Sequence, residues 1–220
     1  MYYLKLFNET LLKFDMNNTI TLKITNIQIL SADKKRFPEA LQLEVNEETI
    51  KEFLEQRIVP KNRTFVKNIL EANDLDFRDL KGVIDISKGL SLTDCYWIVT
   101  DDSLRFEDYN LFDNNFSSVL SLVAFTGYTS KIKGIATSPE FTTDGALPKA
   151  WRRINDEVFL YKGSTEYLKA SNGGNEPYSE YYVFQIEKIL GIKAIQYDLE
   201  KWKGMLASTC RLFTSKEYSY

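Results

Sequence analysis

Residues 142–162 read TTDGALPKAWRRINDEVFLYK. A small-residue turn around Gly145 leads into an apolar run. The polar pair Asn155-Asp156 interrupts it, and a second apolar run ends on Lys162. Two such runs around a short polar turn predict a β-hairpin. Backbone N–H groups in a turn like the one at Gly145 form a concavity suited to an anion, and a lysine adds a compact point charge. The hairpin therefore offers a phosphate both a turn and, in Lys162, a cation. Taken alone, a glycine turn before a strand is most often only a turn.

The continuation gives the hairpin more weight. After the polar loop Ser171-Asn172-Gly173-Gly174-Asn175, residues 176–190 carry Tyr178, Tyr181, Tyr182, Phe184, Ile186, Ile189 and Leu190 at helical spacing, with Gly191 as a stop. Glu180 lies inside this helix. Two further apolar runs, residues 194–199 and 205–209, are joined by Lys201-Trp202-Lys203-Gly204. Hairpin, helix, hairpin is the element order of a protein-kinase N-lobe. There a strand lysine holds the nucleotide phosphates and pairs with a helix glutamate.

From Ser138 to Phe213 the chain resembles the N-lobe of HipA-like serine/threonine kinases. The residues that carry the likeness are Gly145-Ala146-Leu147-Pro148-Lys149, Leu160-Tyr161-Lys162-Gly163, Tyr178-Ser179-Glu180-Tyr181-Tyr182 leading to Leu190-Gly191-Ile192, and residues 207–214, Ala207 to Thr214. Upstream, Lys88-Gly89-Leu90-Ser91-Leu92-Thr93-Asp94-Cys95-Tyr96-Trp97 resembles a segment preceding the kinase domain in some members. The resemblance implies that Lys162 is the nucleotide lysine, Glu180 its helix partner, and residues 209–213 the hinge at the adenine. It implies an ATP-binding set of Thr143, Gly145, Ala146, Lys149, Lys162, Glu180, Thr209, Arg211 and Phe213. The turn departs from the kinase Gly-rich pattern in having one glycine rather than three.

Composition bounds the alternatives. The chain has 220 residues, 44% of them hydrophobic and 27% charged, as in ordinary globular domains. Aromatics reach 14%, which favours β structure and large packed contacts. The net charge of −3 gives no basic field for nucleic acid or an anionic membrane. No apolar run approaches spanning length and no signal-peptide pattern opens the chain. Cys95 and Cys210 are far apart and suggest neither a disulfide framework nor a zinc site, so a reducing cytoplasm is the expected compartment. The chain contains no histidine. Ser–His and Cys–His nucleophiles and His-based zinc sites are therefore excluded, and acid–base work would fall to carboxylates, lysine or tyrosine.

Taken in order, residues 1–7 read as a short strand, and residues 11–14 and 19–29 as a hairpin turning at residues 15–18. Asn46 caps a helix over residues 47–57, with Ile50, Phe53 and Leu54 on one face. Beyond Pro60 a second helix is expected over residues 62–73, with Phe65, Val66, Ile69 and Leu70 buried. Arg57, Lys61, Arg63 and Lys67 cluster at the junction. A DNA-reading helix pair and an αα-hairpin with a solvated basic edge both fit; surrounding glutamates favour the latter. Residues 81–86 and 92–99 read as strands, Cys95 as a buried small hydrophobe, Asp101-Asp102 as a turn, and residues 117–125 as a helix stopped by Gly127.

The expected fold is therefore α+β. Residues 1–134 form a small β/α accessory domain of the HipA-like kind, with the boundary near Gly134. Residues 135–220 form an antiparallel sheet with one helix, like a kinase N-lobe truncated after the hinge. Phosphoryl transfer also needs a carboxylate to orient the acceptor and Asp or Asn ligands for magnesium. After Asp198 there is no aspartate and after Asn175 no asparagine, so the C-lobe of HipA-like kinases is absent here. No catalytic residue and no metal ligand is assigned. ATP is expected to bind weakly or conditionally, and magnesium only with a partner C-lobe. A truncated product, half of a split kinase and a degenerate binding relative remain open. The expected partners are a C-lobe chain, an antitoxin-like protein or a second copy, with neither nucleic acid nor membrane. The alternative function is a non-catalytic interaction or regulatory protein of a toxin–antitoxin-like system.

Overall fold

The computed structural model describes residues 1–18, 22–76, 78–132, 137–164 and 173–218. The expected boundary at Gly134 and residues 171–172 of the polar loop lie outside the described residues. Within them the fold is α+β. Strands β1 (Tyr2–Leu6), β2 (Glu9–Asn18) and β3 (Leu22–Ile29) are followed by helices α1 (Glu39–Gln42), α2 (Glu47–Glu55), α3 (Val66–Glu71) and α4 (Leu80–Ser87). Next come β4 (Tyr96–Val99), helix α5 (Ser118–Thr126), the hairpin β5 (Lys149–Ile154) and β6 (Glu157–Lys162), helix α6 (Glu176–Ile189), and strands β7 (Asp198–Trp202) and β8 (Met205–Arg211). Two four-stranded antiparallel sheets result, ordered β3-β2-β1-β4 and β5-β6-β8-β7.

Capping chemistry sets several boundaries. The Asn46 side chain accepts from Thr49 N while Thr49 Oγ1 accepts from Asn46 N, a reciprocal cap for α2. Ser117 caps α5, and Gly127, at φ 70°, ends it. In the β5–β6 hairpin Asn155 and Asp156 both take positive φ, 49° and 65°. This two-residue turn has the twist that antiparallel strands require.

Four expectations are corrected. Residues 81–86 are not a strand but the body of α4: Asp79 accepts from Gly82 N, and Leu80, Val83, Ile84 and Ser87 form a buried stripe at helical spacing. Residues 15–18 do not turn but continue β2, with Asp15 opposite Thr25 and Asn17 opposite Lys23; residues 19–21, between the strands, lie outside the described residues. The second helix is only α3, because Phe65 at φ 62° breaks the chain just before it. Lys201 and Trp202 belong to β7, and the turn is Lys203-Gly204 at φ 54° and 81°.

Of the basic cluster at the junction between α2 and α3, Lys61 and Lys67 are exposed, but the two arginines are not. Arg57 is buried, bound to Asp94 Oδ2 at 2.7 Å and Gly89 O at 3.2 Å. The Arg63 and Glu140 side chains are both 0% exposed and 2.5 Å apart.

The sheets are joined by shared cores. On β4, Ile98 faces α2 and α4, whereas Trp97 and Val99 face a cluster that includes Leu90, Leu92, Phe106, Trp151 and Val158. One face of the second sheet thus packs on the first half of the chain. Its other face packs on α5 through Phe125, Ala150, Tyr161 and Ala207. No helix among the described residues is long and apolar enough to cross a membrane.

Candidate anion site at the β5–β6 hairpin

Lys162 ends β6 and pairs across the sheet with Lys149 on one side and Ser208 on the other. Directly paired residues of antiparallel strands share a face, so these three side chains emerge together. Helix α6 crosses this face and presents Glu180. Lys162 Nζ donates to Glu180 Oε1 at 2.7 Å and to Tyr197 OH at 2.9 Å, and Ser208 Oγ donates to Glu180 Oε2. Burial alone would depress the Lys162 ammonium, but its bonds to Glu180 and Tyr197 carry it above the ordinary lysine value. The cation is thereby held charged and aimed, with a modest exposure of 20%.

The turn before β5 closes the site. Gly145 takes φ 89°, and a Cβ there would overlap Lys149 Nζ. Lys149 Nζ donates to Asp144 O at 2.7 Å. Burial, with the nearby charges of Arg63 and Lys162, lowers the Lys149 ammonium to about 8. The Gly145 N–H donates to the Asp144 carboxylate at 2.6 Å. A carboxylate of the chain itself therefore occupies part of the place offered to an anion. Thr143 Oγ1 accepts from Trp151 Nε1 at 2.8 Å, and Ala146 O accepts from both Thr64 N and Thr64 Oγ1 at 2.8 Å.

The structure brings Lys162 together with Glu180 and Lys149 beneath the Gly145 turn. The other expected residues gather elsewhere. Thr209 and Arg211 alternate with Ser208 and Cys210 along β8, so their side chains lie on the opposite face of the sheet. There Thr209, Arg211 and Phe213 line an open recess of about 650 Å³ with Phe159, Ile195 and Asp198. Arg211 also pairs with Glu157 at 3.0 Å in a solvated setting. Tyr197 and Ser208 were missed in the sequence reading. Ser208 is legible only once the register is known. Tyr197 sits in an irregular segment that carries no local signal.

Among the described residues no group of three or more His, Cys, Asp and Glu side chains is arranged to hold a metal. Comparison with family models, with curated proteins and with solved structures finds no match.

Proposed function

We propose that the chain binds ATP as the nucleotide-proximal portion of a HipA-like serine/threonine kinase in the cytoplasm. The observation that carries the reading is the 2.7 Å bond from Lys162 on a strand to Glu180 on the next helix, beside a glycine turn. In this reading Lys162 meets the α- and β-phosphates, Glu180 holds it in place, and Lys149 with the turn lies over the phosphates. Thr209 and Arg211 point away from Lys162, so in this reading their side chains take no part beside the phosphates. A phosphate entering the turn displaces the Asp144 carboxylate from the Gly145 N–H, which fits weak or conditional binding.

Magnesium binding and acceptor activation call for groups supplied by a C-lobe. The surface for such a partner is available. Helix α6 buries only Pro177, while Tyr182, Val183, Ile186, Ile189 and Leu190 are exposed. Contiguous apolar surface on this scale marks an interaction face. The same face supports the second reading, a non-catalytic regulatory protein of a toxin–antitoxin-like system.

Titration calorimetry with ATP separates the two. Saturable binding that Lys162→Ala abolishes supports the nucleotide reading. Absence of any heat at millimolar ATP leaves the interaction protein. With Mg-ATP and a generic acceptor, the chain alone is expected to transfer no phosphate above the Lys162→Ala background.

A further inference from the structure

The turn over the candidate phosphate position does not hold itself. Its own contacts are the short bonds around Asp144 and one from Thr143 Oγ1 to Pro139 O at 2.5 Å. Trp151 Nε1 donates to Thr143 Oγ1 and Gly163 N to Pro148 O, and a further set of bonds comes from two consecutive residues some eighty positions earlier, in the link between α2 and α3. Arg63 NH1 donates to Glu140 O at 2.8 Å and Thr143 O at 3.3 Å. Arg63 NH2 donates to Glu140 Oε2 at 2.5 Å and to Lys149 O at 2.8 Å. One guanidinium thus spans both ends of the turn, at Thr143 and Lys149, and also its approach at Glu140. Thr64 grips the middle, through two donors on Ala146 O. The Glu140 carboxylate ties the assembly to the sheet by accepting from Trp151 N at 2.7 Å.

We infer that Arg63 and Thr64 are positioning residues for the anion site, so that the accessory half of the chain sets the shape of the turn that faces the nucleotide. The inference rests on the nucleotide reading of that turn. A planar guanidinium with fixed donors suits this task, because it satisfies several carbonyls at defined angles where a lysine gives one flexible point charge. Turning those carbonyls toward Arg63 and Thr64 leaves the opposite side of the turn, with Gly145 and Lys149, toward Lys162.

The direct variant, Arg63→Met, leaves Glu140 buried and unpaired and is liable not to fold. Thr64→Val is therefore the decisive one. It keeps the shape and the backbone N–H and removes only the hydroxyl donor; Thr64→Ser restores that donor. Two readouts are taken on the full chain: the ATP dissociation constant, and the indole N–H resonance of Trp151, which bonds Thr143 Oγ1 inside the turn. The Trp97 indole, bonded to Phe7 O in the first sheet, is the internal control. The expected result is ATP binding weakened about fivefold, the effect of one hydrogen bond. The Trp151 resonance should move and that of Trp97 should stay, and Thr64→Ser should restore both. An unmoved Trp151 resonance overturns the inference, as does a moved resonance with unchanged ATP affinity. If the wild-type chain binds no ATP, the nucleotide reading fails on its own, and the Trp151 resonance still decides whether Thr64 holds the turn.

Discussion

Lys149 and Lys162 stand directly opposite each other on β5 and β6, two ammonium groups on one face of one sheet. Like charges in that relation are unfavourable, and only Lys162 is paired with a carboxylate, at Glu180. Lys149 instead donates to the Asp144 carbonyl. Burial and the neighbouring charges of Arg63 and Lys162 lower the Lys149 ammonium and so ease the repulsion; in the nucleotide reading, a bound anion would ease it further.

Stability should report this arrangement through pH. Lys149 titrates near 8 in the fold, and near 10.4 when unfolded. Between those values the unfolded chain binds more protons, so stability rises with pH. The protonated Lys149 is a standing cost below pH 8. Melting temperature measured from pH 7 to 10 should climb in the wild type relative to Lys149→Met, and ATP affinity should fall over the same range as the cation is lost.

Asp144→Asn removes a carboxylate from the Gly145 N–H while keeping an acceptor there. Anion affinity should increase by several-fold, about one charge-assisted bond's worth, read by calorimetry with ATP or inorganic pyrophosphate. Unchanged or weaker binding would show that the turn is not where the phosphates sit.

Gly145→Ala places a Cβ against the Lys149 ammonium at a positive φ. A loss of about 1–2 kcal/mol in denaturant unfolding is expected from the left-handed backbone alone, with ATP affinity reduced further.

Glu140→Ala strands Arg63 as a buried, uncompensated cation. Breaking one side of such a pair costs about 3–5 kcal/mol, a large part of a domain's stability, and guanidinium unfolding measures it. Burial pushes the Glu140 carboxyl upward, against the pull of the Arg63 guanidinium.

Ile189 is 84% exposed on α6, and Ile186 on the same helix is 55% exposed. Ile186→Lys with Ile189→Glu should leave the unfolding free energy within about 0.5 kcal/mol of the wild type, read by denaturant unfolding. It should also reduce association seen by light scattering or capture of a C-lobe partner. A loss of folding cooperativity instead would mean that α6 is packed in solution.

Much of the fold was legible because it is local. The cap at Asn46, the stop at Gly127 and the Asn155-Asp156 turn act on neighbours in the chain, and each lies where its side chain or backbone requirement predicts; Ser117, read as the first residue of its helix, is instead its cap. Residues 81–86 were misread because six residues with only Val83, Ile84 and Ile86 apolar have no decisive period; Asp79 as a cap to Gly82 N resolved it in favour of a helix. The turn after β2 was misplaced because Asp15 and Asn17 look like turn residues, yet cross-strand pairing with Thr25 and Lys23 holds them in the sheet.

The sequence by itself determined the α+β class, the hairpin at residues 149–162, the helix that follows, and the two residues, Lys162 and Glu180, whose bond now defines the candidate site. Only the tertiary structure decided what surrounds them. It put Arg63 and Glu140 in the interior, set Tyr197 and Ser208 beside Lys162, and sent Thr209 and Arg211 to the other face. The physical reason is that local signals act through hydrogen bonds within a few residues. Strand register and buried charge pairs join residues dozens of positions apart, and a shift of one residue in register moves a side chain from one face of a sheet to the other.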